Sequence, residues 1–152
     1  MMAKRRGFQT VWMGAAILWM GLGHAAGAQN RETSSETFKA RLSVVPIDVT
    51  MQSTVAGSGS LTAVLAGRKL TFNGTFEGLR SPATFARVHR GSKGVRGPAI
   101  FDLTVSKATS GAISGSLDLT PAQAEDLRNG RFYVQLHSER APDGNLWGWL
   151  LR

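Results

Sequence analysis

Between residues 38 and 44 the side chains alternate without a break: Phe38, Ala40, Leu42 and Val44 are apolar, Lys39, Arg41 and Ser43 polar. A period of two gathers the apolar set on one side of an extended chain, where a helix would scatter it around its axis. Pro46 then stops the strand or confines it to an edge. After a Thr-, Ser- and Gly-rich stretch (50–59) the same period returns as a hairpin. Leu61, Ala63 and Leu65 are followed by a Gly67-Arg68 turn and by Leu70, Phe72 and Phe76. Alternation recurs at 84–90, at Phe101, Leu103 and Val105, at 113–119, at 131–137 and at 145–151, with glycine or proline turns between. One helix interrupts the pattern. Thr120 is a good N-cap, Pro121 suits the first helical position, Gln123 completes a capping box and Gly130 supplies the stop. Seven or so short strands with turns about every 8–12 residues predict an all-β sandwich carrying one short helix.

The 152-residue chain suits one domain. Its start reads as an export signal over residues 1–28. Lys4, Arg5 and Arg6 form the basic region, 11–22 the apolar region, and Ala26-Gly27-Ala28 the cleavage site. The apolar run is too short for the roughly 20 residues of a spanning helix, so no membrane span is expected after cleavage. Arg5-Arg6-Gly7-Phe8 fits a twin-arginine variant as well as an ordinary Sec signal. Either route places the mature chain in the periplasm or outside the cell. The polar residues 29–37 read as a flexible leader, and 38–152 as the folded domain.

The signal holds three of the 18 basic residues and none of the 10 acidic ones, which leaves the mature chain at +5. That charge is spread rather than clustered in a stripe with interleaved aromatics, so nucleic acid is not an expected partner. A weak attraction to anionic surfaces is. There is no cysteine, which excludes disulfides, thiolate metal sites and cysteine nucleophiles. The fold must rest on its core, and a domain of this size buries enough surface for that.

A set of residues in order resembles the CHRD (chordin-type) domain, in the manner of a bacterial secreted single-domain member. The set is Leu79 with Thr84, Val88-His89-Arg90-Gly91, Gly94 with Gly97-Pro98, Leu119-Thr120 with Leu127 and Gly130, and Tyr133-Val134 with His137. Pro142, Gly144, Gly148 and Leu150 complete it. The resemblance spans nearly all of 38–151. It implies an immunoglobulin-like or copper-zinc-superoxide-dismutase-like β-sandwich or Greek-key barrel, and an extracellular setting. Two positions depart from the family pattern: Arg87 stands where a first histidine of His-x-His is usual, and Asn145 where a glutamate is.

Strand alternation sets Arg87 and His89 on one face of their strand, and Tyr133, Gln135 and His137 on the face opposite the apolar Phe132, Val134 and Leu136. Trp147 and Trp149 share a face of the last strand. If these faces coincide, two functions are on offer. His89 and His137 could hold copper or zinc as neighbouring imidazoles about 5 Å apart, completed by Tyr133, Asp102 or Asp143, with superoxide dismutation as the redox extension of a copper site. Alternatively, Arg87, Tyr133, Trp147 and Trp149, with Arg90, Lys93, Arg96 and Arg131 nearby, form an open face for a glycan, an anionic polymer or a protein. No Gly-x-Ser-x-Gly elbow, HExxH helix or phosphate loop is present, and the scattered acids give no catalytic pair, so a non-enzymatic binding module is the leading expectation.

Overall fold

A computed structural model describes residues 34–44 and 49–152. The expected export signal (1–28), the first part of the expected leader, Pro46 and Asp48 lie outside the described residues. Eight strands follow one another: β1 (Ser35–Val44), β2 (Ser58–Ala66), β3 (Lys69–Glu77), β4 (Ala83–Arg90), β5 (Ala99–Val105), β6 (Gly111–Asp118), β7 (Phe132–Ser138) and β8 (Ala141–Trp149). Helix α1 (Pro121–Arg128) joins β6 to β7, and a 3-10 turn (Val49–Ser53) precedes β2. All the strand pairs are antiparallel, in the order β1-β2-β3-β6-β5-β4-β7-β8, and the order closes on itself. The all-β expectation therefore takes its closed-barrel form.

The alternating apolar residues point into the barrel as their period demands. Phe38, Ala40 and Leu42, Leu61, Ala63 and Leu65, and Leu70, Phe72 and Phe76 join Val88, Leu103, Ile113, Val134, Leu136 and Leu146 in one buried cluster. Helix α1 closes one end, with Leu127 fully buried beside Leu119. Its start is fixed by the expected capping box: Thr120 Oγ1 accepts from the Gln123 N–H, and Gln123 Oε1 accepts from the Thr120 N–H. Asp126, on the inner side of the helix, is buried and ion-paired to Arg90 at 2.6 Å and to Arg131 at 3.2 Å. That carboxylate ties α1 to the end of β4 and the start of β7.

Strand β1 starts before the expected boundary at 38: Ser35, Glu36 and Thr37, read as part of a leader, already belong to it. Their register partners are Ala66, Leu65 and Val64. A polar trio can extend a strand when the side chain that continues its inward face finds partners, and Glu36, two residues before Phe38 and opposite Leu65, does. It accepts bidentately from Arg128 and also pairs with Arg152. These two guanidinium groups hold the Glu36 carboxyl below its usual range, the Arg128 hydrogen bond being the largest influence.

Two seams of the barrel are thin. β5 meets β6 only through Thr104↔Ser114 and Val105↔Ile113. β1 meets β8 through Ser43↔Trp147 and Val44↔Leu146, and again at the Lys39↔Leu151 bridge. Between those two points no ladder pairing joins Arg41 to Trp149, although the register sets them opposite each other.

Candidate functional site

In the barrel β4, β7 and β8 are adjacent, which brings the outward residues of all three onto one surface. One row runs His89↔Tyr133↔Trp149, the next Arg87↔Gln135↔Trp147, and a third pairs Phe85 with His137. The rings stack along and across these rows. Phe85 and His137 have centroids 4.1 Å apart, His89 and Tyr133 4.9 Å, and Tyr133 and Trp147 5.7 Å, while Trp149 is tilted against Tyr133 at 5.0 Å.

This surface is covered rather than open, which corrects the expectation of exposed aromatics. Tyr133 is 1 % exposed, Trp147 5 % and His137 7 %. The glycine-rich segment 91–98 folds back over Tyr133, whose hydroxyl accepts from the Gly97 N–H at 3.1 Å. His89 Nδ1 donates to Gly97 O at 3.0 Å, and Trp149 Nε1 donates to Gly91 O at 3.4 Å. The β7–β8 turn covers the other end: His137 Nδ1 donates to Pro142 O at 2.7 Å and Gln135 Nε2 to Asp143 O at 2.6 Å. Arg96 lies over the Trp147 ring at 4.9 Å. Asn145, at the position where the family usually has glutamate, is fully buried. It donates to Ser138 Oγ and accepts from the Ala56 N–H, so it serves as a structural pin.

The two imidazoles do not face each other. His89 sits opposite Tyr133 and His137 opposite Phe85. They are thus four residues apart along the ladder, about 13 Å at 3.3 Å per residue, instead of the 5 Å of a facing pair. Arg87, between them along β4, is engaged with Asp102 at 2.7 Å and lies over the Phe85 ring at 4.6 Å. Tyr133 is committed to Gly97, and Asp102 and Asp143 are exposed. Among the described residues no group of three His, Cys, Asp or Glu stands together as a metal would need. What the histidines share is a donor: a carbonyl only accepts, so each Nδ1 carries a proton. Both Nε2 atoms, like Trp147 Nε1, are buried without a protein partner.

Burial pushes the His137 imidazole below its ordinary value. The bond to Pro142 and the Asp143 charge oppose that shift, and the His89 and Arg87 charges reinforce it. Above an unfolded value of about 6.5 the ring is neutral in both states and the contribution is complete. As pH falls from there through the lower folded value, the unfolded chain takes the proton first and stability drops. The loss of urea midpoint between about pH 7.5 and about pH 5.5 is expected to be smaller in His137→Phe, which keeps the stack on Phe85, than in the wild type. An equal loss in both would contradict it.

One side of this surface remains open, and it lies where alternation alone did not lead. A groove of about 240 Å³ runs over the β1–β8 seam, lined by Lys39, Arg41, Ser43, Lys93, Trp147, Gly148, Trp149 and Leu151. Trp149 is half-buried and Lys39, Arg41 and Lys93 are exposed. No carboxylate lines the groove. Arg87, Arg90, Arg128, Arg131 and Arg152 all have acidic partners, but these three cations have none among the described residues. Lys39 and Arg41 are visible in the sequence as the outward half of the first alternating strand. Their nearness to the tryptophans follows from barrel closure, which joins the first strand to the last.

The described residues thus form a closed antiparallel barrel with a basic, tryptophan-floored groove over its β1–β8 seam. The CHRD domain model matches residues 38–150, and the chain belongs to that family. Searches of the curated proteins and of the solved structures find no match for it. No helix among the described residues is long and apolar enough to cross a membrane.

Proposed function

We propose that this chain is an exported, non-catalytic binding module that holds an anionic polymer on the outer face of β1 and β8. One observation carries the reading: Lys39, Arg41 and Lys93 converge around Trp149 with no acid among the described residues beside them. Cations left unpaired next to an aromatic floor cost the fold self-repulsion and gain it nothing internally, so their use lies with an outside anion. The signal pattern of residues 1–28 and the family support a periplasmic or extracellular setting.

The test must separate this groove from general basicity. The triple variant Lys39→Gln, Arg41→Gln, Lys93→Gln is expected to lose about tenfold in affinity for soluble polyanions, equivalent to about 1.4 kcal/mol. A control of equal net charge, Lys69→Gln, Arg80→Gln, Arg140→Gln, should stay close to wild type. Equal losses in both would remove the groove as the binding site.

A further inference from the structure

The groove says more about its occupant than the sign of its charge. We infer that it takes an acidic polysaccharide of the uronate class, with one pyranose ring lying on Trp149 and carboxylates of that ring and its neighbours meeting Lys39, Arg41 and Lys93. This rests on the proposal that the face binds an anionic polymer, and it names the polymer.

Three observations narrow the class. First, the indole of Trp149 is fixed before any ligand arrives: Tyr133 backs it at 5.0 Å and its Nε1 donates to Gly91 O. A held aromatic plane binds a flat apolar face at low ordering cost. The C–H side of a sugar ring offers such a face, and a polyphosphate chain offers none. Trp147 does not compete, because Arg96 already lies over it.

Second, the groove volume, about 240 Å³, is below the roughly 300–1,000 Å³ that encloses a drug-sized ligand. It fits one ring of a chain that continues past it, with the exposed Ser43 at its edge able to hydrogen-bond a sugar hydroxyl.

Third, the groove lies over the gap in the ladder between Arg41 and Trp149, and that gap is pinned on both sides, by Ser43↔Trp147 and by Lys39↔Leu151. An extended acidic peptide adds to a sheet along a free edge. A gap closed at both ends gives it none. Nucleic acid is disfavoured by the distribution of charge: the cations surround one available indole instead of interleaving with several.

Titration of the mature protein with hexagalacturonate, followed by tryptophan fluorescence and calorimetry, tests the inference. The wild type should bind, and affinity should fall as salt is raised. Trp149→Ala and Arg41→Gln should each lose about tenfold, worth about 1.4 kcal/mol, while Trp149→Phe, which keeps an aromatic plane, retains most of the affinity. Maltohexaose, uncharged, should not bind measurably. Circular dichroism and a urea melt confirm that each variant is folded. Tripolyphosphate or a short single-stranded DNA binding as tightly as hexagalacturonate would overturn the sugar assignment. So would a folded Trp149→Ala with wild-type affinity, and in either case the groove stands if the triple charge variant still loses binding. Absence of binding to every polyanion tried would bring down the sugar assignment and the anionic-polymer reading together.

Discussion

Replacing Gly97 by alanine is expected to destabilise the protein by about 3 kcal/mol, the upper end of what overpacking costs. A Cβ at this position would sit 1.7 Å from Arg90 O and 2.7 Å from Arg90 C. Both atoms are backbone, so no side chain can swing aside. The segment cannot simply lift either, because Arg90 N–H donates to Pro98 O at 3.0 Å and Gly97 itself holds both Tyr133 and His89. The cover over the aromatic surface has to come away for the methyl group to fit. Urea denaturation should report the loss, and acrylamide should quench Trp147 and Trp149 more strongly than in the wild type. Gly94→Ala is the internal comparison. Nothing lies within 4 Å of its Cβ, but its φ is +82°, so the cost is backbone strain alone, about 1 kcal/mol. Equal costs at the two positions, or unchanged quenching in Gly97→Ala, would show that 91–98 is not the cover described above.

The second large effect concerns the barrel interior. Phe72 is 1 % exposed and stands in register with Ala63 on β2 and Gly115 on β6. The ring thus stands between two of the smallest residues, and neither Ala63 nor Gly115 brings a side chain able to relax into a hole. Phe72→Ala should therefore cost near the top of the usual range for such truncations, about 4–5 kcal/mol, a large share of the 5–15 kcal/mol that a domain typically has. Phe101→Ala, half-buried at the thin β5–β6 seam, should cost distinctly less. A Phe72→Ala variant melting within a few degrees of the wild type would contradict the packing.

Much of this architecture is legible in the sequence because a period of two assigns faces without reference to neighbours. Leu61, Ala63, Leu65, Leu70, Phe72 and Phe76 point inward as alternation demands. Arg87, His89, Tyr133, Gln135, His137, Trp147 and Trp149 lie outside that interior cluster for the same reason. The helix is legible because its caps are local: Thr120, Gln123 and Gly130 act within one or two turns. Outward is not the same as exposed, however, and alternation cannot tell the two apart. The burial of Tyr133 and Trp147 depends on 91–98 folding back through Gly97, a contact spanning more than thirty residues. The histidine spacing depends on register, which sets His137 against Phe85 rather than against His89. A register is fixed by the whole sheet, not by either strand. Glu36 was hidden for a similar reason, since its strand position rests on Arg128 and Arg152 at the far end of the chain. Lys39 and Arg41 were readable as outward residues, yet nothing local says that the first strand closes onto the last.

Amide shift mapping on the labelled mature protein is the most direct test of the binding face. On addition of a soluble polyanion, the account predicts that perturbed amides gather at 39–43, at 93 and at 147–151, while Thr104, Ser114 and Ser116 on other strands stay still. Perturbations gathered on that other side of the barrel, or spread evenly over every exposed lysine and arginine, would contradict it.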